Sequence, residues 1–229
     1  HVDPFVVGLE GLSVVTARHE EEAATVAAFL LREALETPER TAALVTPDQT
    51  LARRVAAKLA RWGVAADSSA GTALAGCPAA ILAGLLARAT VDPLDPVVLL
   101  GLVKHPLTRL GHEPGTLERR RLALERHGLR GPRRTDWTAL AAKLEGRRGK
   151  KVPDAEIDDA LALTALLQAT LAGLRTPFTG EDGTALPAEA ALALTRTLEA
   201  LAADLAGSTG ALWAGHGGEA LSRLLSGLI

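Results

Sequence analysis

The residues that could do chemistry in this chain are a dense run of lysine and arginine between positions 119 and 151. Twelve basic side chains stand there against three acidic ones, which gives the stretch a net charge of +9. The rest of the chain carries −11, so the overall charge of −2 is the sum of two opposed regions. Basic side chains gathered in one region bind a phosphate backbone by releasing its counterions. The stretch therefore predicts contact with a polyanion.

All twelve basic side chains are candidate DNA contacts. Two other interpretations stay open on charge alone, namely a solvated pair of helices with a loop, and a surface that docks on an acidic neighbour. The candidates are Arg119, Arg120, Arg121, Arg126, Arg130, Arg133, Arg134, Lys143, Arg147, Arg148, Lys150 and Lys151.

Other residue types that support catalysis lack the spacing that catalysis needs. The histidines share no metal-ligand spacing with a cysteine or carboxylate on one helix face, so no metal site is predicted. The glycine-rich stretch 215–218 could present backbone N–H groups to a phosphate, but it has no P-loop lysine and follows no strand. Ser69 lacks the glycine two residues earlier that a nucleophile elbow requires. The sequence therefore predicts no catalytic residue.

Composition limits the class of protein. The 229 residues are 48% hydrophobic and 3% aromatic, which favours helices packed on small and branched side chains. The single cysteine, Cys77, cannot form an internal disulfide and indicates an intracellular protein. No run approaches eighteen apolar residues, which predicts a soluble chain. Because the sequence contains no methionine, we expect an internal piece of a longer protein.

The first seventy residues show an alternation of strand and helix patterns. Helical spacing of apolar residues predicts a helix over 20–35, and Thr46 is the predicted N-cap of a second helix from Pro47 to about Trp62. Three short apolar runs, at 12–17, 41–45 and 64–67, read as strands. The pattern predicts a small parallel sheet with helices packed on it.

The remaining residues carry helical patterns alone, over 78–89, 93–103, 116–127, 136–145, 154–174, 187–206 and 217–228. The predicted fold is therefore mixed but mostly α. A partial α/β segment over residues 1–75 precedes an all-helical subdomain over residues 76–229. The basic stretch falls in the helices and loops of the second part.

Two groups of motifs resemble a known family. The block from GLSVVTARHEEEA to DSSAGTAL, residues 11–74, resembles the start of the second RecA-like motor domain of superfamily 1 helicases. The stretches DPVVLLGLVKHPL (95–107), LRGPRR (129–134) and LWAGHGGEALSRLLSGL (212–228) fit the same family. The sequence of these motifs is most similar to the alphaproteobacterial form of AddB-type subunits. These are subunits of AddAB helicase–nucleases, which process double-strand DNA breaks.

The resemblance implies a RecA-like (2A-like) segment at 1–75 and a 2B-like helical insertion at 76–229. The parent would be a cytoplasmic bacterial helicase and exodeoxyribonuclease of homologous recombination, with ATP, Mg and an iron–sulfur cluster as cofactors and an AddA-type subunit as partner. This chain lacks the Walker A lysine loop, the late helicase motifs and the nuclease carboxylates with their cysteines. Where many active relatives carry a basic residue after the second strand, it has Thr46.

We therefore expect a segment without its own catalytic site or cofactor. It would contact double-stranded DNA or the partner subunit, and no membrane. The alternative, from a different class, is a helical protein-interaction module that docks a partner chain and has no role in DNA binding.

Overall fold

The fold is helical throughout the residues that the computed structural model describes, which are 7–178, 180 and 183–229. Helix accounts for 63% of the chain, and the described residues contain no β-strand. The predicted α/β fold, with a RecA-like parallel sheet in residues 1–75, is therefore wrong. The chain divides into two compact units, His1–Gly71 and Thr72–Ile229.

The first unit is built on two helices, α1 (Glu20–Leu35) and α2 (Gln49–Ala60). Ala24 and Ala28 of α1 pack against Val55 and Leu59 of α2, and all four side chains are buried. Alanine on α1 allows the two helices to approach closely, and the apolar stripe on each helix is covered by the other.

Ion pairs join the same two helices at their exposed edges. Glu20 pairs with Arg54 at 3.1 Å, and Glu21 pairs with Lys58. The acidic first turn of α1 therefore helps to join α1 to α2. It also complements the helix dipole.

The three predicted strands are extended segments without a ladder. No backbone hydrogen bond joins residues 13–17 or 41–45 to another part of the described chain. Val14 is 85% exposed and Val45 93% exposed, so these segments also lack the buried face that stabilises a sheet. β-Propensity reflects packing on a half-buried pleated surface, and short β-branched runs without that surface form no strand.

Helix α2 begins at Gln49, two residues after its predicted start at Pro47. Asp48 Oδ1 accepts hydrogen bonds from the backbone N–H of Thr50 at 2.7 Å and of Leu51 at 3.2 Å, so Asp48 is the N-cap. The predicted cap, Thr46, instead accepts from the backbone N–H of Asp48 at 3.0 Å. Both residue types favour caps, and the sequence places them two positions apart.

The second unit holds the remaining helices, which pack around one hydrophobic core. They are α3 (Pro78–Val91), α4 (Pro96–Lys104), α5 (Pro114–Ala123), α6 (Trp137–Glu145), α7 (Asp154–Ala172), α8 (Pro187–Ala202), α9 (Gly210–Trp213) and α10 (Gly215–Ser226). A π-helical turn, Leu124–Leu129, continues α5, and a 3-10 helix, Gly173–Phe178, continues α7.

Proline sets the start of four helices in this unit. Pro78, Pro96, Pro114 and Pro187 occupy the first helical turn, where the missing N–H costs nothing. The helix predicted to begin at residue 93 begins at Pro96, because the Asp95 carboxylate caps it. The bounds of the other helices differ from the predicted ones by up to four residues.

Helix α7 is central to the second core. Ile157, Leu163 and Leu167 on its inward face are completely buried. Among the described residues, one helical stretch, Asp154–Phe178, is long and apolar enough to cross a membrane by length and composition. One face of this stretch is buried in the second core.

The Asp48 cap generates a stability prediction. Asp48→Ala should lower the free energy of unfolding of the first unit by about 1 kcal/mol, because two N–H groups of α2 lose their acceptor. Thr46→Ala is the control and should cost less. Urea unfolding followed by circular dichroism measures both, and a larger loss at Thr46 would contradict the assignment.

Close packing at the start of α10 generates a second stability prediction. A Cβ at Gly218 would lie 2.5 Å from the carbonyl carbon of Trp213, and backbone cannot rotate away. Gly218→Ala should therefore destabilise the second unit by about 1–3 kcal/mol. Gly84→Ala in α3 meets nothing within 4 Å and should be neutral or stabilising by up to about 1 kcal/mol. Thermal unfolding compares the two, and equal effects would contradict the packing argument.

Candidate nucleic-acid interface

The basic stretch spans α5, the π-helical turn and α6, together with the loops 130–136 and 146–153. The π-helical turn brings its backbone close to the core, since a Cβ at Gly128 would lie 2.8 Å from Leu124 Cδ1 and 3.3 Å from Leu140 Cδ1. Helix α7, which follows the stretch directly, packs against all three helical parts. The side chains of α7 that face these three parts determine which of the twelve basic side chains remain available to bind a ligand.

The N-terminal half of α7 presents carboxylates to the basic stretch. Arg148 binds two of them, with its Nη2 2.7 Å from Asp158 Oδ1 and its Nη1 4.0 Å from Asp154 Oδ1. Its Nε also lies 2.9 Å from Glu145 Oε2. The hydrogen bonds from Glu145 and Asp158 raise the pKa of Arg148 above its ordinary value. Arg148 therefore joins the end of α6 to α7.

Helix α5 is joined to α7 through a shared carboxylate. Arg119 Nε lies 3.8 Å and Arg120 Nε 3.4 Å from the two oxygens of Asp159. Arg120 also contacts the His112 ring. Asp159 therefore pairs with both arginines, and Arg120 is the more buried of the two.

The π-helical turn is joined to α7 through Glu156. His127 Nε2 lies 2.7 Å from Glu156 Oε2, and Arg126 Nη1 lies 3.5 Å from the same oxygen. His127 is 6% exposed, and its Nδ1 has no hydrogen-bond partner in the described structure. The contact with His127 lowers the pKa of Glu156, and Arg126 adds to that effect.

Two further candidates pair with acids outside α7. Arg121 binds Glu118 on the same helix, with Nη2 and Oε2 2.5 Å apart. Arg133 binds Asp92, which follows α3. Six of the twelve predicted DNA contacts, at 119, 120, 121, 126, 133 and 148, thus form ion pairs within the chain.

Lys143 has a different role from the other candidates. Its ammonium donates to the carbonyl oxygens of Gly128 at 2.5 Å and Arg130 at 2.6 Å. Lys143 lies in the last turn of α6. This contact therefore holds the start of the loop 130–136 close to the start of the loop 146–153. Burial lowers the pKa of Lys143, and the positive charges of Arg134 and Arg147 lower it further.

The other five candidates make no side-chain hydrogen bond or ion pair with any residue that the structure describes. We call them the two-loop basic patch, and they are Arg130, Arg134, Arg147, Lys150 and Lys151. All but Arg147 are exposed, and Arg147 is half-buried. An unpaired cation on a loop keeps its charge and its donors for an external anion.

Charge counting missed the acidic residues of α7 as partners of the basic stretch. The run DAEIDDA, residues 154–160, begins three residues after Lys151 and carries four carboxylates. An acidic run directly after a basic one is a signal that was available in the sequence. It becomes informative once α7 is known to pack on α5 and α6.

The glycine-rich stretch 215–218 is a packing site. A Cβ at Gly217 would lie 2.7 Å from Cys77 Cβ, so glycine permits close contact with the start of α3. No group of three or more histidine, cysteine or acidic side chains is arranged to hold a metal among the described residues. With Cys77 as its single cysteine, the chain has too few thiolates to hold an iron–sulfur cluster.

No family model, curated protein or solved structure matches this chain.

The Glu156 contacts generate a pH prediction. A carboxylate whose pKa is lower in the folded chain contributes stability above its unfolded pKa and loses it as pH falls through the folded value. Stability should therefore decline as pH falls below the ordinary glutamate value of 4.5. Glu156→Gln should flatten this decline in urea unfolding between pH 3 and 6. Glu189→Gln, on an exposed site, should leave it unchanged, and an identical change in both variants would contradict the argument.

Proposed function

We propose that this chain is a non-catalytic segment that contacts double-stranded DNA within an AddB-type subunit of a helicase–nuclease. The observation that carries the DNA contact is the two-loop basic patch, whose five cations have no acidic partner in the described structure. An unneutralised cluster of this kind attracts phosphate, and its counterion release drives binding.

The composition of the two loops favours duplex backbone as the ligand. Residues 130–136 and 146–153 are rich in glycine, proline and basic residues, and they contain no aromatic residue. Proteins that bind single strands stack bases on aromatic side chains, and these loops offer none. Arginine and lysine on loops position a protein on the phosphate backbone without reading base sequence. Binding is therefore expected to show little sequence preference.

The wider setting follows from the family resemblance. In that setting the whole protein acts in the bacterial cytoplasm, in double-strand break repair by homologous recombination, together with an AddA-type subunit. ATP turnover, Mg-dependent cleavage and the iron–sulfur cluster belong to other parts of such an assembly. This segment supplies backbone contacts to the duplex, and it has no role at a membrane.

A second candidate function is a module that docks a partner chain, with the patch facing an acidic surface. Exposed apolar residues in the first unit favour it, because Val14 and Val45 are more than four-fifths exposed and form part of an uncovered surface. Uncovered apolar surface is typical of protein–protein contacts. A salt titration separates the two functions, since a docking module binds no duplex.

The patch generates a binding prediction. Arg134→Ala with Arg147→Ala should weaken binding to a short duplex by about 1–3 kcal/mol and reduce the slope of log affinity against log salt by up to about 2. Fluorescence anisotropy over a range of salt concentrations measures both quantities. Binding should not depend on duplex sequence.

The paired arginines provide a matched control. Arg133→Ala with Arg148→Ala removes the same charge, but from side chains that bind Asp92, Glu145 and Asp158. This variant should lose stability and retain most of its duplex affinity while folded. Equal losses of affinity in the two variants would contradict the division into paired and free cations, and no duplex binding by the unaltered chain would favour the docking module.

A further inference from the structure

A cavity of about 570 Å³ lies in the second unit between α8 and the end of α7, together with the 3-10 helix that continues α7. Its walls are made largely of small residues, among them Ala169, Gly173, Ala193 and Ala200. A Cβ at Gly173 would meet nothing within 4 Å, so this wall borders open space. Cavities of this size hold small-molecule ligands in many proteins. None of the lining residues belongs to the two-loop basic patch.

Two charged side chains of α8, Glu189 and Arg196, line this cavity. Neither makes a hydrogen bond or an ion pair with any part of the described chain. They lie seven residues apart, which places them on the same face of α8 and about 10 Å apart along its axis. The two charges therefore do not neutralise each other. Each keeps its hydrogen-bonding groups for a ligand in the cavity.

Two threonine hydroxyls of the cavity wall are already used as donors. Thr170 Oγ1 donates to the carbonyl oxygen of Leu166 at 2.8 Å, and Thr197 Oγ1 donates to that of Ala193 at 2.9 Å. The guanidinium group of Arg196 has five N–H donors, and its planar fork matches the two oxygens of a carboxylate. An anionic group that enters the cavity therefore finds its donors at Arg196.

We propose that this cavity binds a small dipolar molecule, with a carboxylate at Arg196, an ammonium group at Glu189 and an apolar chain between them. The apolar chain lies against Leu192 and Ala193, which line the cavity between the two charges. Opposite charges at the two ends fix the orientation of the ligand, and apolar contact adds to its affinity. A molecule with two negative ends is disfavoured, because Glu189 repels the second one. This site goes beyond the proposed DNA contact and does not depend on it.

The experiment titrates 8-aminooctanoate, octanoate and octylamine separately into the full chain at neutral pH and constant ionic strength. Backbone amide NMR signals of α8 report binding. 8-Aminooctanoate carries both charges, and each of the other compounds carries one. The signals of Ala193 and Arg196 should shift in a saturable way. 8-Aminooctanoate should bind about threefold or more tightly than either single-charge compound, as one additional exposed ion pair predicts.

Variants of the two charged residues should separate the two ends of the ligand. Arg196→Gln should weaken the binding of 8-aminooctanoate and octanoate by about threefold or more and leave octylamine unchanged. Glu189→Gln should weaken the binding of 8-aminooctanoate and octylamine without weakening that of octanoate. Arg175→Gln is the matched control, because Arg175 is an exposed and unpaired arginine of the 3-10 helix that does not line the cavity. It should leave the binding of all three compounds unchanged.

Gly173→Leu tests the cavity itself, because the new side chain fills the open space. Gly173 has φ −66° and ψ −22°, which any residue adopts, so the variant should keep the circular dichroism spectrum of the unaltered chain. It should abolish the saturable shifts with all three compounds. Unchanged binding by folded Gly173→Leu, equal effects of Arg175→Gln and Arg196→Gln, or no saturable shift with 8-aminooctanoate in the unaltered chain would overturn the proposal.

Discussion

Helix α7 constrains the second unit in two ways, through its buried apolar face and through ion pairs with the basic stretch that precedes it. Carboxylates at 154, 156, 158 and 159 bind arginines from α5, the π-helical turn and the loop that follows α6. Most of these pairs are at least partly exposed, so each contributes little to stability by itself. The apolar core beneath them holds the helices together, and the ion pairs add specific contacts between α7 and its neighbours.

The same ion pairs determine which basic side chains remain free to bind an external ligand. A region that carries twelve cations in the sequence presents only five without a partner in the described structure. Those five lie on loops, where the backbone is exposed and the side chains can reach an external ligand. The carboxylates of α7 thus act as internal counterions, and the density of charge in the sequence overstates the charge available to an external anion.

Local patterns predicted the helices well and the sheet badly. Helices α1, α3 and α7 have apolar residues at helical spacing together with clear start signals, and both depend on neighbours in the sequence. A strand depends on a partner that is distant in the sequence, so the β-branched run at 12–17 could not show whether one exists. The Asp48 cap was missed because Thr46 offers the same chemistry two residues earlier.

The candidate site was only partly predictable for a similar reason. The sequence located the basic stretch, but it could not separate Arg133, which binds Asp92, from its neighbour Arg134, which is free. That distinction depends on a contact across 41 residues. The role of Lys143 depends on a fold in which the end of α6 returns to the π-helical turn, and no local pattern encodes it.

The π-helical turn at Leu124–Leu129 has a consequence for how this protein can change in length. Such a turn accommodates one more residue than an α-helical turn does. Deleting one residue from it would convert the turn to α-helical hydrogen bonding and leave the chain beyond it nearly in register. The same deletion within the α-helical part of α5 would rotate everything downstream by about 100°. Single-residue insertions and deletions in relatives should therefore collect in this turn and in the exposed loop that follows it, where Gly131 and Pro132 lie.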